Sequence, residues 1–182
     1  MCGIIGLISK NIDKEKFNNS LDLLSHRGPD AKNTFFDNSI ALGHTRLSIQ
    51  DLSNNGNQPM LDKENGNLII FNGEIYNYKS LRKDLEKQGE RFFSHSDTEV
   101  ILKLYRKIGL EKSLKIIEGM YSFAIYDKQK NKLFLCKDRF GMKPLFYSEK
   151  NNEFIFSSEI KPIINYCKKI EINKKKIVIP ML

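Results

Sequence analysis

The sequence predicts an α+β fold built on two stacked antiparallel sheets with helices packed outside them. Three observations carry this. Short apolar runs of β-type residues open the chain and dominate again after Gly119. Helix-spaced segments lie near the start and between the two strand-rich regions. No regular strand-helix alternation links them, as a parallel sheet would need.

The elements follow in order. "CGIIGLIS" (2–9) has the continuous apolar character of a strand buried on both faces. "DKEKFNNSLDLLSHRGPD" begins with Phe17, Leu21 and Leu24 on one helical face and ends in a loop at Gly28-Pro29. "TFFDNSIALGHTRLSI" reads as two strands joined at Asp37-Asn38-Ser39. "DLSNNGNQPM" is rich in turn formers and predicts a loop, with a further turn at "DKENGN". "LIIFNGEIYN" is a strand running into Asn72-Gly73, followed by the helix-forming "YKSLRKDLEKQG", which stops at Gly89. In "SDTEVILKLYRKIG", Ser96 is the expected N-cap and Glu99 stands at the capping-box position. Its stripe is Val100, Leu104 and Ile108. "MYSFAIYD", "KLFLCKD", "PLFYSEK" and "EFIFSSE" then read as strands of an antiparallel meander. One domain is expected over 1–166, with a short basic tail over 167–182.

Composition narrows the function. The chain has 182 residues, 40% hydrophobic and 29% charged, the balance of a soluble globular domain. No apolar stretch approaches the roughly 18 residues needed to span a bilayer, and the start lacks a signal-peptide pattern. A cytoplasmic protein is expected. Cys2, Cys136 and Cys167 form no disulfide framework or metal spacing, and His26, His44 and His95 are equally scattered, so no metal is expected. The net charge of +8 raises the question of nucleic acid. The lysines are dispersed apart from the tail "CKKIEINKKK", and no aromatic residues interleave with them as a stacking platform requires. Solvated lysine faces are the preferred reading.

Four short stretches carry chemistry. In "MCGIIG", removal of Met1 would put the Cys2 thiol and a free α-amine on one residue. Both titrate near working pH, so the amine can serve the thiol as base and later protonate a leaving group. In "FNGE", the Asn72 amide and the Gly73 N–H suit a developing oxyanion, although Asn-Gly is also a common hairpin turn. Arg46 in "GHTRLSI" is the only arginine between Arg27 and Arg82 in a lysine-preferring chain, and arginine suits bidentate grip of a carboxylate. Asp97 in "HSDTE" can pair with an ammonium, or can simply favour the helix dipole. Together they describe a pocket for an α-amino acid whose side-chain carbonyl is attacked by a thiol.

These stretches, with "SHRGPD", "GHTRLSIQDLS", "NQPM", "FNGEIYN", "SDTEVIL", "GMYSFAIYD", "KDRFGMKPLFY" and "SSEIK", run in family order from Met1 to about Tyr166. The chain resembles the glutaminase domain of glutamine-hydrolysing asparagine synthetases, among the class II glutamine amidotransferases. The resemblance implies an N-terminal nucleophile hydrolase fold, a four-layer αββα sandwich. It implies loss of Met1, Cys2 as nucleophile, and Asn72 and Gly73 as the oxyanion hole. Arg46 would hold the glutamine α-carboxylate, and Asp97 with Glu74 its amino end. The backbone of Leu47, Ser48, Ile49 and Gln50 would line the pocket. Gln50 is polar where relatives often carry an aliphatic residue, and because the implied contact there is through the backbone, its side chain is expected to matter little.

No cofactor is implied for the glutaminase reaction. ATP and Mg belong to the synthetase domain of full-length relatives, whose SGG-type loop does not occur here, so this chain alone would be a glutaminase. Glutamine is the implied ligand, and a separately encoded synthetase subunit or self-association the implied assembly. Two other readings stay open: a truncated inactive remnant, and a non-catalytic glutamine-binding or regulatory module.

Overall fold

A computed structural model describes residues 1–168, so the expected tail lies outside the described residues apart from its first two positions. One sheet holds β1 (Gly3–Ile8), β2 (Ala31–Asp37), β3 (Ile40–Arg46), β8 (Phe146–Lys150) and β9 (Glu153–Ser157), in the spatial order β2-β3-β1-β9-β8. The other holds β4 (Met60–Leu61), β5 (Leu68–Ile75), β6 (Gly119–Asp127) and β7 (Lys132–Lys137), in sequence order. Every strand pairing is antiparallel.

The alternation of side chains explains the four layers. Successive strand residues point to opposite faces, and here both faces are covered. Ile4, Leu42, Leu68, Ile70 and Phe156 pack between the sheets. Ile5 and Leu7 point the other way, against α1 (Lys14–Asp22) and α4 (Ile160–Cys167), where Phe17, Leu21, Ile163 and Tyr166 meet them. Ile69 and Phe71 face α2 (Tyr78–Lys87) and α3 (Asp97–Ile116) through Leu85, Val100, Ile101 and Leu104. The order is helices, sheet, sheet, helices, as the resemblance implied.

Local signals account for the helix ends. Asp13 caps α1 by accepting from the Lys16 N–H at 3.0 Å. α2 gives way to Gly89 at φ 89°, a left-handed position that glycine adopts without strain. The Ser96 hydroxyl caps α3, but the reciprocal half of the expected capping box is not made. Glu99 turns instead to the N–H groups of Phe93 and Ser94 and the Ser94 hydroxyl, at 2.7–3.2 Å. α3 also runs past its expected end, broken at Gly109 (φ 77°) and resuming to Ile116. α4, which no sequence signal predicted, ends at Cys167, across the expected domain limit.

Candidate active site

Cys2 sits just before β1, and the pairing of β1 with β3 sets Gly3 opposite Thr45. That register brings the thiol to the end of β3. The Cys2 Sγ accepts from the Leu47 N–H at 3.4 Å and donates to the Leu47 carbonyl at 3.7 Å. Burial pushes the thiol pKa up, against the opposing pull of the Leu47 N–H. Arg27 donates from Nε to the Cys2 carbonyl at 3.0 Å and is anchored by Glu159 at 3.0 Å.

Asn72 and Gly73 lie inside β5 rather than in a turn. Two contacts at Phe71 fix this strand next to the site. The Phe71 N–H donates to Gln58 Oε1 at 2.6 Å, while Gln58 Nε2 reaches Thr98 at the start of α3. The Phe71 carbonyl accepts from His44 Nε2 at 3.1 Å, across the two sheets. Burial depresses the His44 pKa to about 4, which keeps the ring neutral. Gly73 is required by close approach: a Cβ there would strike the Met120 carbonyl and the Tyr121 backbone. The Asn72 Nδ2 is buried and has no hydrogen-bond partner.

Arg46, at the end of β3, is wrapped by the following loop. Its Nη1 donates to the Ser53 carbonyl at 2.7 Å and Asn57 Oδ1 at 2.8 Å, and its Nη2 to the Asp51 carbonyl. These contacts leave Nε–H and one Nη2–H, the edge that grips a carboxylate side-on. Gly56 also packs closely here, since a Cβ would collide with the guanidinium. Asp97 opens α3 and accepts from the Ile75 N–H at 2.9 Å. Burial raises its pKa from 3.8 to about 6, with Glu74 adding to the shift.

The two sheets and α3 thus enclose a cavity of about 220 Å³. Cys2, Arg46, Leu47, Ile49, Gln50, Asn72, Gly73, Glu74 and Asp97 all line it. Ser48 does not: its N–H is held by Asp30 at 2.7 Å, which turns this part of the backbone away. The Gln50 side chain, expected to matter little, places its Nε2 3.4 Å from Asp97 Oδ2. Sequence reasoning missed Arg27 and Gln58, whose only signals are their places in "SHRGPD" and "NQPM". It also missed Lys143, which is 8% exposed and donates to the Met1 sulfur at 3.4 Å. Among the described residues, no three of the His, Cys, Asp and Glu side chains gather as a metal would require, and no helix is long and apolar enough to cross a membrane.

Two face-to-face antiparallel sheets with helices outside thus bring Cys2, Arg46, Asn72 and Asp97 to one cavity, and likeness to known proteins names the class of such a domain. The chain belongs to the glutamine amidotransferase domain family, whose model matches residues 1–181. It is 43% identical to a putative glutamine-hydrolysing asparagine synthetase of Methanocaldococcus jannaschii, over 97% of this chain and 37% of the relative. It is 42% identical to asparagine synthetase 2 of Bacillus subtilis, over 91% of this chain and 22% of the relative. The chain therefore spans between a fifth and two fifths of the length of these relatives. The B. subtilis glutamine phosphoribosylpyrophosphate amidotransferase shares the fold, with a TM-score of 0.80 at 22% identity over 91% of this chain and 44% of that one.

Proposed function

We propose that this site hydrolyses glutamine to glutamate and ammonia through a thioester on Cys2. The observation that carries the reading is the unpartnered, buried Asn72 Nδ2 in the same cavity as the Cys2 thiol. A buried donor left without a protein acceptor is unfavourable in the resting protein and is suited to an oxyanion that exists only during reaction.

The steps follow from the chemistry of the groups. With Met1 attached, the Cys2 nitrogen is an amide and cannot accept a proton, so the reading includes Met1 removal. The freed α-amine takes the thiol proton, and sulfur bonds to the side-chain carbonyl carbon of glutamine. The carbonyl electron pair moves to oxygen, where Asn72 Nδ2 and the Gly73 N–H receive it. The carbon–nitrogen bond then breaks as the ammonium form of the amine returns the proton to the leaving ammonia. Water attacks the thioester, the sulfur leaves with a proton restored, and glutamate is released. Arg46 and Asp97 hold the α-carboxylate and α-ammonium, with Glu74 near the latter. No cofactor enters these steps. ATP and Mg are assigned to the synthetase region of the longer relatives.

The names of those relatives support asparagine synthesis as the use of the nitrogen, through a synthetase region or subunit. Three unpaired cysteines support a reducing compartment, and we place the protein in the cytoplasm. The test is intact-mass analysis after exposure to a glutamine analogue carrying an electrophile in place of the side-chain amide. One adduct on Cys2, prevented by excess glutamine, is expected. Labelling that glutamine does not slow would contradict the reading.

A further inference from the structure

The cavity contains a polar group that the steps above do not use. Gln50 stands in the loop after β3, half-buried, with its carboxamide beside the Asp97 carboxylate. Neither end of that carboxamide is well satisfied. Its Nε2 makes only a long contact of 3.4 Å to Asp97 Oδ2, an oxygen that already accepts from the Ile75 N–H at 2.9 Å. Its Oε1 is buried with no partner at all. A buried acceptor without a donor is unfavourable unless something supplies one.

We propose that Gln50 Oε1 is a second acceptor, beside Asp97, for the α-ammonium of the amino acid substrate, and that it makes the site select for that group. The proposal rests on the amino acid reading given above. An ammonium carries three donors, and Asp97 already shares one oxygen with the Ile75 N–H. An ammonium placed between the carboxylate and Oε1 satisfies the orphaned oxygen, and the Nε2 contact can persist because it comes from the other end of the same carboxamide. The pair also gives the site a means of rejecting a ligand that lacks the amine, since the Gln50 Oε1 would then stay without a donor and the Asp97 carboxylate without a counter-charge.

The test is calorimetric binding to Cys2→Ala protein, which cannot turn over. The ligands are L-glutamine and glutaramate, its analogue without the α-amine. Adding Gln50→Met, which keeps length and volume but no acceptor amide, is expected to weaken glutamine binding about tenfold and leave glutaramate unchanged. That size is the lower end for a hydrogen bond to a charged group. Gln50→Asn, too short to reach, is expected to behave as Gln50→Met. An equal shift for both ligands would show a general packing effect and overturn the proposal. So would unchanged or tighter glutamine binding, which would make Gln50 a bystander or an occluder of Asp97. Glutamate release by the native protein is measured separately. Its absence beside Gln50-dependent discrimination would refute the glutaminase reading while leaving the ammonium site standing, and absence of glutamine binding would refute the proposal itself.

Discussion

Arg27 holds Cys2 by its backbone: the Nε–H reaches the Cys2 carbonyl at 3.0 Å while Glu159 fixes the guanidinium from the far side at 3.0 Å. The proposed nucleophile stands close to a chain terminus, where fraying is the default, and this contact restrains it from the carbonyl side. Arg27→Ala is expected to lower kcat about tenfold or more with a smaller change in KM, because misplacing a reacting atom slows chemistry more than binding. Arg27→Lys should restore part of the loss. A rise in KM alone would remove Arg27 from the positioning of the thiol.

Asn72 and Gly73 give separable effects. Asn72→Ala is expected to reduce kcat by about 10²–10³, the usual consequence of losing one oxyanion donor, with little change in stability. Gly73→Ala should act on the fold as well, costing about 1–3 kcal/mol as the new Cβ displaces the β6 backbone. Thermal unfolding beside steady-state kinetics distinguishes the two. A Gly73→Ala protein as stable as the parent would contradict the close packing of β5 on β6.

Asp97 and His44 bias stability in opposite directions with pH. The Asp97 pKa is raised from 3.8 to about 6, so the folded state holds that proton more tightly than the unfolded state. Its contribution is complete below pH 4 and is lost as pH rises through 6, about 3 kcal/mol in all. The His44 pKa is lowered from 6.5 to about 4, so its contribution is present above pH 6.5 and is lost as pH falls towards 4. The two offset each other between those limits. Asp97→Asn is therefore expected to be more stable than the parent at pH 8 and to lose stability more steeply on acidification from 6.5 to 4, while binding glutamine poorly. Denaturant titration across that range checks it, and parallel pH profiles for the two proteins would contradict the assignment.

On the proposed mechanism, Met1 controls the chemistry of the thiol. With Met1 retained, burial keeps the Cys2 thiol protonated at neutral pH, and alkylation by iodoacetamide should be slow and rise only with alkaline pH. Once Met1 is removed, the adjacent amine becomes the base and the rate should rise at pH 7–8. Identical profiles for the two forms, sorted by intact mass, would exclude the amine as the base.

Much of this architecture is legible in the sequence, and for physical reasons. β1 and β5 read as continuous apolar runs because both of their faces are buried, one between the sheets and one under helices. Cys2, Arg46 and Asp97 sit at element ends, where turn and cap chemistry marks the chain, whereas Asn72-Gly73 looks like a turn and lies inside β5. α4 was not legible: it is eight residues long, carries Pro162 in its first turn, and begins without a side-chain cap. The fate of Ser48 and Glu99 was hidden for another reason. Each pairs with a loop whose position only the tertiary fold sets, Asp30 in one case and Phe93-Ser94 in the other.

The most direct measurement is glutamate release from glutamine by protein whose mass shows Met1 to be absent, with Cys2→Ala alongside. Steady release by the parent and none by Cys2→Ala is predicted. Release that survives Cys2→Ala, or a parent with a free Cys2 amine that binds glutamine and never hydrolyses it, would contradict the terminal-cysteine mechanism.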